Sequence, residues 1–140
     1  MSPLTEPAPV SVHEPIGELA TSPPISINEK LTLREVAAAL AAADIGAAVV
    51  VHDDDTLSIV SERDVARSLA DDADPDTVWS ADVASDRLVT AELNEPILRV
   101  AHRMADEGVR HLLVVEHGRV AGVVSARDVF RVFVEEALQR

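Results

Sequence analysis

Shifted by 64 residues, the chain aligns with itself without a gap, and Ser61-Glu62-Arg63-Asp64-Val65 falls on Ser125-Ala126-Arg127-Asp128-Val129. Between Leu33–Arg67 and Ile97–Arg131, 11 of 35 positions are identical, among them Val36, Ala37, Ala41, Val50, Val51, Val60, Ser61, Arg63, Asp64, Val65 and Arg67. Several of the others keep their apolar character, as in Leu40 with Met104, Ile45 with Val109 and Ile59 with Val123. Two copies do not make a solenoid, because each would have a single neighbour to stack on. The pattern predicts a paired module with a pseudo-twofold axis and related surfaces on its two halves.

A repeat of about 64 residues buries too little surface to stand alone, so the halves are expected to share a core, for which the 47% apolar content suffices. The chain has no cysteine, which removes disulfides, thiolate zinc sites and thiol catalysis. Its net charge of −13 repels phosphate backbones, so nucleic acid is not expected as a partner, and any phosphate-bearing ligand needs local donors. No apolar run approaches a membrane span, and Met1-Ser2-Pro3-Leu4-Thr5-Glu6-Pro7 lacks the basic and apolar regions of a signal peptide. The expectation is a soluble, cytoplasmic protein that makes no membrane contact.

Residues 1–14 carry Pro3, Pro7, Pro9 and Ser11 with little apolar pattern and read as an extended lead-in. Residues 15–76 and 77–140 then form repeats one and two, each ordered strand, helix, strand, strand, helix, for an α/β (α+β) fold of two βαββα units with small mixed sheets flanked by helices. The first strands are read in Pro24–Ile27 and Leu88–Ala91. The first helices have apolar sides Leu33, Val36, Ala37, Leu40, Ala41 and Ile97, Val100, Ala101, Met104, Ala105. Thr32 with Glu35 forms a capping box in copy one, while Pro96 stands in the first helical turn of copy two. Valine-rich strands follow, at Ala47–His52 and Leu57–Val60 and again at His111–Glu116 and Val120–Val124, all expected to be buried. Second helices start from Ser61 and Ser125. Asp71–Asp76 is an acidic, proline-broken stretch that ends the helix and reads as a solvated linker, and Trp79 is assigned to core or interface packing.

The candidate chemistry lies where the last strand of each copy turns into a helix. A serine there presents a hydroxyl beside unpaired backbone N–H groups, at the end of the helix dipole that favours an anion. One turn on, Asp64 or Asp128 has acceptors enough for both hydroxyls of a ribose. The same Ser-x-x-Asp spacing is also a helix capping box that needs no ligand.

The segment Gly122-Val123-Val124-Ser125-Ala126-Arg127-Asp128-Val129, preceded by Gly108-Val109-Arg110-His111-Leu112-Leu113-Val114-Val115, resembles the cystathionine-β-synthase-type (CBS) domain. Ile45–Val51 with Ser58–Val65 resembles a second, more degenerate copy, in which Ser58 replaces Gly122. The resemblance spans residues 16–137. It implies two units packed through their sheets, with clefts between the repeats for adenine-containing ligands such as AMP, ADP, ATP or S-adenosylmethionine. It also implies homodimers and a regulatory, non-catalytic role exerted on another protein through conformational change. The motif aspartate is the ribose contact, which points to Asp128 with Ser125 and Gly122, and to Asp64 with Ser61. Basic residues at Arg110 and His111 reach phosphate in such relatives, and copy one has Gly46 and Ala47 there, so the two clefts should be unequal. Arg127, like Arg63, either touches phosphate or pairs with surface acids, and Arg110 has the same second option. The adenine would lie against Val89, Thr90, Val109 and Val124 in one cleft, and Ile25, Ser26, Ile45 and Val60 in the other.

Enzymatic motifs are missing: the five histidines show no metal-ligand spacing, and there is no nucleophile elbow, P-loop or dinucleotide fingerprint. The sequence therefore reads as a stand-alone nucleotide-binding regulatory module with no metal site, and its rival is a dimerising scaffold without ligand.

Overall fold

The computed structural model describes residues 10–20 and 24–139. They divide into two compact units, one made of residues 10–20 with 90–139, the other of residues 24–89. Of the expected lead-in, residues 1–9 lie outside the described residues.

The second unit contains β1 (Ser26–Asn28), α1 (Leu33–Ala43), β2 (Ala47–Val51), β3 (Leu57–Ser61), α2 (Glu62–Ala70) and a short α3 (Ser80–Val83). The first unit contains a 3-10 turn (Ile16–Glu18), β4 (Thr90–Glu92), α4 (Ile97–Glu107), β5 (His111–Glu116), β6 (Arg119–Ser125) and α5 (Ala126–Leu138). Each has a three-stranded mixed sheet, ordered β1-β2-β3 or β4-β5-β6, with the first pair parallel and the second antiparallel. This is the expected α+β order, and its repetition is carried into the register, where Ala47 pairs with Ser61 and His111 with Ser125.

Valines fill the strands because a β-branched side chain suits a pleat covered on both sides. Val36 and Leu40 of α1 pack on Ala48, Val50 and Val60 of the sheet and on Val65 of α2. Leu33, Val36 and Leu40, and likewise Ile97, Val100 and Met104, form the buried stripe. Ala37, Ala41 and Ala105, expected on that stripe, are instead exposed, and Ala101 is half-buried. Alanine carries too little apolar surface to choose its side, and the larger residues decide the roll of the helix.

The helix ends differ between the copies as their residues require. Thr32 and Glu35 make the expected capping box. Pro96 is the residue before α4, in extended conformation, rather than a member of its first turn. At the C-cap, Asp44 adopts the left-handed conformation at φ 52° where its counterpart Gly108 has φ 66°, a region that aspartate tolerates and glycine enters freely. The β5–β6 hairpin turns through His117 and Gly118, both at positive φ, as a tight two-residue turn demands.

The segments preceding the repeats do more than the sequence suggests. Val12 and Ile16 are buried in the first unit, while His13 and Glu14 between them are exposed. The N–H groups of Ile16 and Gly17 donate to Glu95 and Leu93 at 2.8 and 3.0 Å, and Ile97 N–H donates to Glu14 at 2.9 Å. Gly17 passes so close to Leu93 that an added Cβ would come within 2.7 Å of its Cγ. In the second unit the matching bonds run from Ser80 to Leu31 at 2.7 Å, Ala81 to Glu29 at 3.0 Å and Leu33 to Val78 at 3.0 Å. Each first helix thus has its leading N–H groups satisfied by the segment that precedes the other repeat in sequence.

The acidic stretch is solvated as expected, with Asp71, Asp72, Asp74 and Asp76 all exposed, and it is tied to α1 at one end. Asp76 receives Arg34 Nε at 2.6 Å and Nη2 at 3.1 Å, and Pro75 C=O accepts from Arg34 N–H at 3.0 Å. Trp79 is exposed rather than in the core, with Lys30 Nζ 5.8 Å from its ring centre.

Because Ile16 is wholly buried, Ile16→Ala should cost about 2–5 kcal/mol of stability in urea unfolding. A cost under about 0.5 kcal/mol, as for an exposed residue, would mean that the arm is not docked in solution.

Candidate functional site

The same joint occurs at the end of β3 and at the end of β6. Ser61 and Ser125 are extended residues that cap the helices behind them, and each hydroxyl accepts from the N–H of Asp64 or Asp128 at 3.1 Å. The aspartates return the bond through one oxygen: Asp64 Oδ2 accepts from Ser61 N–H at 2.8 Å and from its hydroxyl at 2.9 Å, and Asp128 Oδ2 accepts from Ser125 N–H at 3.3 Å. The capping-box reading is therefore realised in both copies. Neither carboxylate is sealed, since both residues are half-buried and these bonds run through Oδ2 alone.

Neighbouring backbone fixes what stands beside each joint. Ala126 N–H donates to Arg110 C=O at 2.8 Å, and His111 is register partner to Ser125, which brings Arg110 and His111 to the start of α5. At the other joint, Glu62 N–H donates to Gly46 C=O at 2.9 Å and Ala47 pairs with Ser61, so no charged side chain comes from that strand. The residues beside the two turns therefore differ in charge. Arg110 and Arg127 are exposed, as is Arg63, while Val109 is half-buried before β5. Thr90 opens β4 beside Leu113, two positions along β5 from His111. Gly122 is buried in β6, opposite Val114 where the register slips by a bulge, three residues short of the serine. Of the residues assigned to an adenine wall, Val60 and Val124 are fully buried, Val60 within the apolar core, whereas Ile25, Ile45 and Val89 are half-buried and Ser26 is exposed.

Two polar clusters escaped the sequence reading. In the first unit Arg103 donates from Nη1 to Thr90 C=O at 2.9 Å and grips Glu95 through Nη1 and Nη2 at 3.0 and 2.6 Å. Glu95 in turn accepts from Glu92 N–H at 2.8 Å, so this pair clips β4 to α4. The guanidinium holds the Glu95 carboxyl below its ordinary range. The counterparts Leu31 and Ala39 pack against an apolar core instead, so no repeat signal flagged the pair.

In the second unit His52 bridges Glu29 and Ser58. Its Nδ1 lies 2.8 Å from Glu29 Oε2 and its Nε2 2.7 Å from Ser58 Oγ, while Asp53 N–H donates to Glu29 Oε1 at 3.0 Å. With a carboxylate as acceptor, Nδ1 carries the proton and Nε2 is left to the hydroxyl. The order resembles a serine–histidine–acid relay, but Ser58 is buried and has no way to reach a substrate. The relay joins the turn after β1 to the β2–β3 hairpin, beside an open pocket of about 290 Å³ lined by Glu29, His52, Asp53, Asp54 and Thr56. Ser58, at the position of Gly122 in copy two, has its side chain engaged by His52. Among the described residues no group of three or more His, Cys, Asp or Glu side chains is arranged to hold a metal ion. Nor is any described helix long and apolar enough to cross a membrane.

With the geometry in place, comparison with known proteins is direct. The CBS domain family model matches twice, over residues 16–71 and 80–135. The chain belongs to the CBS domain family. An uncharacterised protein of Methanocaldococcus jannaschii is 30% identical over 119 residues, which cover 84% of this chain and 42% of that one. The chain likewise spans 61% of the length of a second archaeal relative, from Methanopyrus kandleri. Among solved structures, a CBS domain protein of Pyrobaculum aerophilum in complex with AMP matches with a TM-score of 0.75 at 33% identity, over 89% of this chain and 98% of that one. A CBS domain pair in complex with 5′-methylthioadenosine and S-adenosyl-L-methionine matches with a TM-score of 0.76 at 25% identity, over 87% and 97% of the two chains.

The Glu29 carboxyl is held below its ordinary value of 4.5, first by the His52 ring and then by Asp53 N–H. A depressed carboxyl stabilises the folded state above its unfolded pKa, and that contribution is lost as pH falls through the folded value. The stability difference between the wild type and Glu29→Gln should therefore be constant near neutrality and shrink below about pH 4.5. Calorimetry across pH 7 to 3 checks this, and a difference unchanged over that range would contradict it.

Proposed function

We propose that the protein is a regulatory module that binds an adenine nucleotide, with AMP, ADP or ATP as ligand, on its Ser-x-x-Asp turns. The observation that carries this reading is the duplicated joint, in which a half-buried aspartate at the opening turn of a helix spends one carboxylate oxygen on its cap. The other oxygen faces the ribose, and the serine end of the helix, with its N–H groups and dipole, favours the phosphate. The site beside Ser125 and Asp128 is the stronger of the two, because Arg110, His111 and Arg127 put positive or donor groups there. Thr90 and Val109 stand at the base, and Gly122 keeps β6 free of a side chain behind it. Asp64 and Ser61 form the second site with fewer donors.

The family and the AMP complex of the Pyrobaculum aerophilum protein support this reading. The complex with 5′-methylthioadenosine and S-adenosyl-L-methionine favours a second, in which the ligand shares the adenosine part and lacks phosphate. Either ligand would act by its differential affinity for two arrangements of the module, read by a cytoplasmic partner protein. Nothing in the site supplies a reacting nucleophile, so the role is sensing rather than catalysis.

At about 100 times its dissociation constant, AMP should stabilise the protein by about 2.7 kcal/mol. Asp128→Asn keeps a carbonyl oxygen for the cap and loses the charge, and should weaken AMP about tenfold or more, equivalent to about 1.4 kcal/mol. Its unliganded melting temperature should stay near that of the wild type. Undiminished affinity in Asp128→Asn would remove Asp128 from the site. No thermal shift with AMP, ATP or S-adenosylmethionine would favour the ligand-free scaffold.

A further inference from the structure

The two Ser-x-x-Asp turns share a backbone and differ in charge. At the first position of the helix α2 has Glu62 where α5 has Ala126, so its opening turn carries two carboxylates, Glu62 and Asp64, against Asp128 alone. The loop whose carbonyl receives the first helical N–H differs in the same sense. It reads Asp44-Ile45-Gly46-Ala47 in one unit and Gly108-Val109-Arg110-His111 in the other, with Gly46 C=O accepting from Glu62 and Arg110 C=O from Ala126. Arg63 and Arg127 are common to both turns. With histidine neutral, the Ser61 turn is thus the more negative by three unit charges: Glu62, Asp44 and the absence of an arginine at Gly46.

These charges act on a ligand more than on the fold. Asp44, Glu62, Arg110 and Ala126 are all exposed, while the serines and aspartates beneath them keep the same caps and the same strand register. A helix start attracts an anion through its leading N–H groups and its dipole. In α2 that anion comes from the first residue of the helix itself, so the Glu62 carboxylate offsets the dipole and repels a phosphate. In α5 the place is left to a ligand, with Arg110 beside it. The ribose requirement is met equally, since Asp64 and Asp128 both make their capping bonds through Oδ2 alone.

Resting on the reading of these turns as ligand sites, we propose that Glu62 determines specificity: it bars phosphate from the Ser61 turn, which takes an adenosine ligand without phosphate, and leaves the nucleotide to the Ser125 turn. One chain would then sense two different adenosine compounds. Titration calorimetry of the full chain with AMP should show one site per chain, weakened in Asp128→Asn. The AMP-saturated protein should then take up one equivalent of adenosine. Glu62→Ala, which installs the residue of the other copy, should strengthen AMP at the Ser61 turn about tenfold and reveal a second AMP site, with adenosine affinity there changed less than about twofold. Ala126→Glu should weaken AMP at the Ser125 turn about tenfold and again alter adenosine little. Two AMP sites of like affinity in the wild type, no uptake of adenosine by the AMP-saturated protein, or AMP binding that ignores both substitutions would each overturn the proposal, while AMP binding sensitive to Asp128 would still support the nucleotide reading. A wild type that binds neither AMP nor adenosine would overturn both.

Discussion

The reciprocal bond between a strand-ending serine and the aspartate three residues later is what joins strand to helix in both units. It stops the strand, starts the helix and fixes the carboxylate at the same place in both units, through Ser61 with Asp64 and Ser125 with Asp128. A capping contact of this kind contributes about 1 kcal/mol, enough to justify the residues without a ligand. Its geometry nevertheless leaves a carboxylate oxygen and the leading N–H groups of a helix side by side, the combination that a ribose phosphate requires. The proposed ligand contact would therefore draw on the same atoms as the cap.

Around that shared joint the copies have diverged in ways that differ in physical kind. Arg110 and His111 flank one joint, Gly46 and Ala47 the other. An ion pair, Arg103 with Glu95, clips the first strand of one unit, while the other places Leu31 and Ala39 there and ties its neighbouring turn with the Glu29–His52–Ser58 relay. Phe130, Phe133, Val134 and Leu138 are exposed on α5, where α2 exposes Leu69 alone among its large apolar side chains. Each unit keeps the scaffold and ties it with different side chains.

Much of this was legible in the chain. The strand–helix order, the capping serines and the buried valine runs follow from periodicity and from matching the chain to itself, because each rests on local backbone preference repeated twice. The arms were not legible. Val12 and Ile16 sit in a proline-rich context with no pattern, and their docking on α4 depends on hydrogen bonds to residues some 80 positions away, such as Ile16 to Glu95. Ala37 and Ala41 misled for the opposite reason, since alanine fits either side of a helix. Ser58 occupies the position of Gly122, and its hydroxyl is held by His52, six residues earlier. Polar clusters that join separate turns carry no spacing rule, so Arg103 and His52 emerge only from coordinates.

The most direct examination is a crystal structure of the protein grown with AMP. The ribose hydroxyls should lie within hydrogen-bonding distance of the Asp128 carboxylate, with the phosphate near the start of α5 and Arg110. Nucleotide bound elsewhere, with Asp128 still engaged only by Ser125, would contradict the assignment of the duplicated joint as the ligand site.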